Sequence, residues 1–425
     1  MSAPCRAPVR TLHLTNAYHP TSGGIRTFYR ALLDGANARH REMRLVVPGP
    51  FDDREEVGDF GRIYYLKARS APAFDRRYRV ILPSAYLANA NGALVRILQD
   101  ERPDLVEICD KYSLFYLAGM LRKEWLPRVP RPILVGVSCE RMDDNLRAYL
   151  GREALSRRFA RWYLRHIYGP PFDYHVANSE YTADELRQVL WDRPPEFIRV
   201  CPMGVDAARF GPHHRDELLR RSVLERAGGN PTSTLLLYVG RLSPEKNVAL
   251  LVATLERLTK ASRQDGSPPR DYRLVVAGDG PMRGSMERDA SRLVAGRVLF
   301  LGAVTEGELL RRYYASGDVF VHPNPREPFG IAPLEAMASG VPVVAPNLGG
   351  VLSYATRDNA WLASPEPEAF ALAVRSAVER SDDRRLAAAR DTAAALDWPV
   401  VVDRWFAMYD AFAISHINQN RRLAS

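Results

Sequence analysis

Apolar runs of strand length alternate with stretches whose apolar residues recur at helical spacing from one end of the chain to the other. In the first half, Arg10–Thr15, Met43–Pro48, Arg62–Lys67, Leu105–Cys109, Pro132–Ser138, Asp173–Asn178 and Phe197–Pro202 predict strands. The intervals leave room for crossover helices, so the sheet is expected to be parallel with helices on both faces. The pattern breaks at Gly204–Pro212, passes through a charged helical stretch, Asp216–Arg226, and breaks again at Gly228, Gly229, Asn230 and Pro231. It restarts with strands at Thr234–Val239, Arg273–Ala277, Val298–Leu301, Asp318–Val321 and Pro342–Val344. The fold class is therefore α/β, with two doubly wound domains over 1–212 and 213–400. In the tail, 401–425, Val401, Trp405, Met408, Tyr409 and Phe412 lie at helical spacing, which predicts a helix that packs back on the first domain. Gln264–Arg270, with Gly266, Pro268 and Pro269, reads as a surface loop.

A length of 425 residues agrees with two domains rather than one core. No run approaches the roughly 18 apolar residues that cross a bilayer. Met1–Val9 lacks the apolar centre of a secretion signal, and Cys5, Cys109, Cys139 and Cys201 form no CxxC pair. Reduced thiols and a cytoplasmic location are expected. The net charge of +9 is uneven: 1–212 carry 32 Lys and Arg against 25 Asp and Glu, and 213–425 carry 27 against 25. An excess in the first half suits anionic lipid or phosphorylated substrates, although a generally arginine-rich composition gives the same number.

The segment Glu327–Gly350, EPFGIAPLEAMASGVPVVAPNLGG, carries the most chemistry. A strand ending near His322 runs into a loop and a helix opens around Gly330. Helix starts present unpaired amides and the positive end of a dipole, which suits a diphosphate. Glu327 precedes the helix and Glu335 lies inside it, so two carboxylates could hold an extended ligand at both ends, one on sugar hydroxyls and the other on ribose hydroxyls. Arg241 and Lys246 follow the first strand of the second domain on a turn through Pro244 and Glu245, where two cations could neutralise a departing diphosphate. Gly23 and Gly24 follow the first strand of the chain and open a helical run, Ile25–Leu33, again aiming amides at an anion. No DxD motif ends a strand and no His/Cys/Asp cluster has ligand spacing, so no metal and no cofactor is expected.

The Glu327–Glu335 string resembles the EX7E region of retaining glycosyltransferases of the GT-B fold, and specifically glycosyltransferase family 4. SGGI at Ser22–Ile25, PMGVD at Pro202–Asp206, GRLSPEKN at Gly240–Asn247, GDGP at Gly278–Pro281 and LGAV at Leu301–Val304 extend the match over the chain. The resemblance implies two Rossmann-like domains facing a central cleft, with the donor held mainly by the second. It implies catalytic roles for Glu327, Arg241, Lys246 and the Cys139 position. Donor binding would fall to Gly23, Gly24, Arg241, Lys246, Val304, Phe329, Gly330, Ile331 and Glu335. The implied partners are a nucleotide-sugar donor of the GDP-mannose or UDP-glucose type and a lipid or glycan acceptor, without nucleic acid. Transfer with retention, in which the departing diphosphate takes the acceptor's proton, is the implied reaction.

One departure stands out. Many members place a donor-contacting histidine after the Pro132–Ser138 strand, where this chain reads SCERMDD with Cys139 at that position. Either Cys139 is a small wall residue, or Glu140, Arg141 or a neighbouring loop makes the contact. The stretch Arg147–Tyr168 mixes Arg152, Arg157, Arg158, Arg161 and Arg165 with Tyr149, Leu155, Phe159, Trp162 and Tyr163, and Arg76, Arg77 and Arg79 lie earlier in the chain. It suits either an anionic membrane surface or an amphipathic core helix with a solvated face. Two other functions stay open: a GT-B sugar-nucleotide epimerase, which needs no acceptor, and a non-catalytic nucleotide- or membrane-binding scaffold. Turnover of a labelled sugar separates all three.

Overall fold

A computed structural model describes residues 8–19, 23–70, 79–87, 92–150, 153–261, 270–379 and 382–424. Ser22, Arg76, Arg77 and Arg152 lie outside the described residues, as does the loop read at 264–270 apart from Arg270. The strands, in chain order, are β1 (Thr11–Thr15), β2 (Met43–Gly49), β3 (Asp53–Val57), β4 (Gly61–Lys67), β5 (Arg69–Ser70), β6 (Arg79–Val80), β7 (Leu105–Cys109), β8 (Ile133–Ser138), β9 (Tyr174–Ala177) and β10 (Ile198–Val200). They continue with β11 (Thr234–Val239), β12 (Tyr272–Ala277), β13 (Val298–Gly302), β14 (Val319–Val321), β15 (Val343–Pro346) and β16 (Trp361–Ala363).

The chain forms two compact units, Met1–Pro202 with Pro399–Ser425, and Met203–Trp398. The change of unit falls ahead of the 212/213 boundary read from composition. Val205 N–H donates to the Leu396 carbonyl at 2.9 Å and Trp398 N–H to the Val205 carbonyl at 3.0 Å, which ties the start of the second unit to its end.

In the first unit eight strands run in the order β10-β9-β8-β7-β1-β2-β4-β3. All pair in parallel except β3, which returns antiparallel on β4. The five residues of β1 and of β7 are fully buried, as expected of a parallel sheet covered on both faces. The helix Gly24–Ala38 buries Phe28, Tyr29, Leu32, Leu33 and Ala36 along one stripe, each worth about 1.5–3 kcal/mol for the large side chains. Phe28 meets Trp405 of the helix Trp398–Ala424 at 4.9 Å between ring centres, and Phe412 of that helix stacks on Tyr174 at 4.1 Å. Arg41 adds a two-point ion pair to Asp410. Glu107 of β7 is wholly buried and is supported by His13 at 3.0 Å, by the Tyr29 hydroxyl at 2.9 Å and by the Tyr409 hydroxyl. A buried carboxylate without such donors would be costly, so these bonds fix the C-terminal helix in one register.

The second unit has six parallel strands in the order β13-β12-β11-β14-β15-β16. By order of appearance within the unit this is 3-2-1-4-5-6, the Rossmann arrangement, whose connections reverse direction between β11 and β14. Helix Ala249–Ala261 and helix Pro367–Glu379 cover it, with Leu251, Leu255, Val276, Phe370 and Val374 in one core. The fold class read from the sequence holds in both units.

Candidate active site

The carboxyl ends of strands beside such a reversal leave a crevice, because the loops there turn away from each other. The loop after β11 is fixed first. Gly240 N–H donates to the Ala277 carbonyl at 3.1 Å, Leu242 N–H to the Asp279 carbonyl at 3.0 Å and Met282 N–H to the Leu242 carbonyl at 2.9 Å. A Cβ at Gly278 would stand 1.8 Å from the Gly240 oxygen, so GDGP needs glycine there to let the two loops meet. A tight turn, Pro244–Lys246, follows, and Asn247 enters the left-handed region at φ +53° while its side-chain amide donates to the Pro323 carbonyl at 3.0 Å. That bond delivers Lys246 to the loop after β14.

There the Lys246 ammonium donates to both oxygens of Glu327, each at 2.8 Å. The Asn324 side-chain amide donates to Glu327 Oε2 at 2.9 Å, and His322 Nε2 lies 3.7 Å from the same oxygen. Burial pushes the Glu327 carboxyl upward, but Lys246, His322 and Asn324 outweigh it and hold the group at about 2. Glu327 is thus a carboxylate at every physiological pH.

Gly330 opens the helix Ile331–Ala338 at φ +90°, where a Cβ would stand 3.1 Å from Glu327 Cγ and 3.1 Å from the Tyr354 hydroxyl. Tyr354 donates to the Gly330 carbonyl at 2.5 Å and packs on Phe329. Pro333, third in the helix, lacks an N–H where none would have an intrahelical acceptor. Gly350 N–H donates to the Glu327 carbonyl at 2.7 Å, and a Cβ at Gly350 would stand 1.9 Å from the Pro328 oxygen. The distal NLGG therefore clamps the loop that carries Glu327. Glu335, within the helix, accepts from the Tyr314 hydroxyl at 2.6 Å. Burial raises its carboxyl to about 7 against the opposing pull of that bond.

Of the residues singled out in the sequence, the second unit brings together Lys246, Glu327, Phe329, Gly330, Ile331 and Glu335. Arg241 lies in the same loop as Lys246, its carbonyl held by the Tyr238 hydroxyl at 3.0 Å. Val304 follows β13, an edge strand two positions from β11. Gly23, Gly24 and Cys139 belong to the first unit: Gly23 precedes the helix Gly24–Ala38 and Cys139 follows β8. The neighbouring Cys109 and burial keep the Cys139 thiol well above its ordinary pKa, so it stays protonated. Asn324, Tyr314 and Tyr354 were not singled out by sequence reading, and His322 entered it only as the end of a strand. Among the described residues no group of three or more His, Cys, Asp or Glu is arranged to hold a metal ion.

The Arg147–Tyr168 stretch divides into the helices Met142–Leu150 and Glu153–Tyr163 and a wider turn, Leu164–Tyr168. Ser156, Ala160, Tyr163, Leu164 and Tyr168 are buried, whereas Leu155, Phe159 and Trp162 form a stripe that is 59, 47 and 52% exposed. Arg157 pairs with Glu153, Arg161 with Gln188 and Arg165 with Asp192. Among the described residues no helix is long and apolar enough to cross a membrane.

Two family models match: Glycosyltransferase Family 4 over residues 22–209 and Glycosyl transferases group 1 over 222–392. A GDP-mannose-dependent alpha-(1-6)-phosphatidylinositol dimannoside mannosyltransferase of Mycobacterium tuberculosis is 30% identical over 414 residues, covering 96% of this chain and 97% of its own. A GDP-mannose-dependent alpha-mannosyltransferase of Mycolicibacterium smegmatis is 37% identical over 411 residues, covering 95% and 97%. The crystal structure of Anabaena HepE in complex with UDP and glucose superposes with a TM-score of 0.66 at 18% identity, covering 95% of this chain and all of that one, which bears on the fold alone. Motifs, two-unit architecture and full-length relatives agree, and the chain belongs to glycosyltransferase family 4, a glycosyltransferase of the GT-B fold.

Proposed function

We propose that this chain transfers mannose from GDP-mannose to a lipid acceptor with retention of anomeric configuration and without a metal, UDP-glucose being the alternative donor. The observation that carries the reading is the Lys246–Glu327 pair at the carboxyl ends of β11 and β14, beside a helix opened by Gly330. The second unit binds the donor. Lys246 and Arg241 take the diphosphate together with the first amides of the helix, where charge accumulates as the glycosidic bond breaks. Glu327, held ionised, accepts hydrogen bonds from sugar hydroxyls and orients the anomeric carbon. Glu335 receives the ribose hydroxyls. The first unit, with Gly23 and Gly24 at the carboxyl end of β1, carries the acceptor. Retention follows if the acceptor hydroxyl approaches the face from which the diphosphate leaves, so that a phosphate oxygen takes its proton and no protein base is needed. Cys139, a protonated thiol, then serves as a wall residue, in keeping with this route.

The mannosyl donor is supported by the names of both relatives that match over nearly their whole length, and the lipid acceptor by the name of the first, which acts on a phosphatidylinositol dimannoside. The exposed stripe Leu155, Phe159 and Trp162, with Arg158 on the same helix, supports peripheral contact with an anionic membrane. The deciding experiment is nucleotide release from GDP-mannose, UDP-glucose and other nucleotide sugars, with and without lipid extract. Release from GDP-mannose that requires lipid is the expected result. Donor conversion without acceptor points to an epimerase, and binding without turnover to a scaffold.

A further inference from the structure

His322 lies beside Glu327, and this reading gives it no task. It follows β14, its side chain is 7% exposed, and Nε2 is buried without a hydrogen-bond partner, 3.7 Å from Glu327 Oε2. That is too long for a hydrogen bond and short enough for a strong electrostatic interaction. The charged groups acting on this imidazole are Glu327, which favours its protonation, and Lys246, which opposes it; burial opposes it most, and together they hold His322 at about 4. The phenols of Tyr238 and Tyr354 face Glu327, and burial keeps both protonated.

Resting on the donor site proposed above, the geometry has a consequence. The Lys246 ammonium is committed to both oxygens of Glu327, and a diphosphate competes for the same ammonium. If Lys246 turns to the phosphates, the buried carboxylate loses the cation that balances it and keeps Asn324, a neutral donor. We propose that His322 replaces Lys246 as the counter-charge of Glu327 when a nucleotide sugar binds, taking one proton from solvent onto Nε2 so that donor binding is coupled to proton uptake. The exchange balances: one ammonium moves from carboxylate to diphosphate, one proton enters from water, and Glu327 remains ionised to hold the sugar. His322 acts through Glu327 and is a positioning residue. Two features of the surroundings fit the exchange: Lys246 is the more exposed partner of the pair, at 28% against 10%, whereas His322 is anchored by its backbone N–H to the Val344 carbonyl at 2.8 Å.

The test is calorimetry of GDP-mannose binding without acceptor at pH 6, in buffers of different ionisation enthalpy, for the wild type and His322→Gln. Both donor phosphates are diesters and do not titrate in this range. Glu335, raised to about 7, gives up a proton when it accepts ribose hydroxyls, a contribution of opposite sign common to both proteins. The wild type is expected to take up at least about half a proton more per donor than His322→Gln. A difference under about a tenth of a proton, with binding intact, overturns the exchange and leaves the donor site standing; no binding of any nucleotide sugar overturns the donor site itself. A second measurement needs no donor. In Lys246→Met the His322 ring, followed by NMR of labelled histidine, should titrate at least about one pH unit higher than in the wild type, since a repelling charge is gone. An unmoved midpoint overturns the proposal.

Discussion

Exchanging Lys246 for Met and Glu327 for Gln, singly and together, separates what the ion pair does for the fold from what each charge does for transfer. A carboxyl held at about 2 instead of the ordinary 4.5 corresponds to about 3 kcal/mol favouring the charged form. Because the folded pKa is the lower one, this stability is present above pH 4.5 and disappears as pH falls toward 2. In Lys246→Met the carboxylate keeps Asn324 and a distant His322 in a site that water scarcely reaches, so the second unit should lose about 2 kcal/mol at pH 7. In Glu327→Gln the lysine, 28% exposed, turns to solvent and the loss should stay below about 1 kcal/mol. The double variant should be more stable than the sum of the two losses. Transfer follows a different order. Each single variant should lower kcat/KM by about 10²- to 10³-fold, the size expected for a preorganised charge that acts as the leaving group departs. Urea unfolding and nucleotide release read the two effects. Turnover near normal in either folded variant would refute the site assignment, and equal stability of the two single variants would refute the argument from burial.

Glu335→Gln should weaken donor binding more than turnover, and donor affinity should rise more steeply with pH through about 7 in the wild type than in the variant, because only the wild type has Glu335 to ionise; equal slopes in the two remove the ribose contact. The same raised pKa makes Glu335 favour folding below pH 4.5 and lose that contribution as pH climbs through 7. Gly350→Ala forces the Pro328 carbonyl to move and should cost about 1–3 kcal/mol with a tenfold or greater loss of turnover, while Gly119→Ala, in the helix Phe115–Arg122 with open space around it, should be neutral or stabilising; similar thermal midpoints in the two would contradict the clamp. Activity should survive exhaustive EDTA, and loss reversed by magnesium or manganese would contradict a metal-free diphosphate site. Anionic vesicles should co-sediment the protein, more at about 0.1 M than at about 1 M salt, with Arg157/Arg158/Arg161→Ser losing the salt-sensitive part and Leu155/Phe159/Trp162→Ser the salt-resistant part; no binding at low salt would make a soluble acceptor the better reading.

The strands of both sheets were legible because parallel strands buried on two faces are continuous apolar runs, as β1 and β7 show. The missed ones lack that signature. β3, Asp53–Val57, is an exposed edge with four charged residues, and β16 has three residues. Within the site, Glu327, Glu335 and Lys246 were legible from a motif, whereas their electrostatic states were not. The low pKa of Glu327 arises from a lysine 81 residues away, and the high one of Glu335 from burial beside Tyr314, a residue of a different helix. His322 looked like the end of a strand because nothing in its local sequence announces a buried carboxylate five residues on. The arginines of Arg147–Tyr168 suited a membrane surface and a solvated helix face alike, and their partners were not legible: Arg161 and Arg165 are each held by one 27 residues away.

The C-terminal helix has a consequence for how the protein comes into being. Glu107 lies in a strand that precedes the second unit in the chain, and the Tyr409 hydroxyl that completes its support follows the whole of that unit. At about 5–20 residues per second, the second unit, Met203–Trp398, alone takes about 10–40 s to be made. Until then the first unit lacks the Trp405 ring that packs on Phe28 and one of the donors that support Glu107. The second unit, contiguous in sequence, can close before the first, so order of synthesis and order of completion are reversed. A chain cut short within the helix Trp398–Ala424, ahead of Tyr409, would hold every residue of the second unit but not of the first.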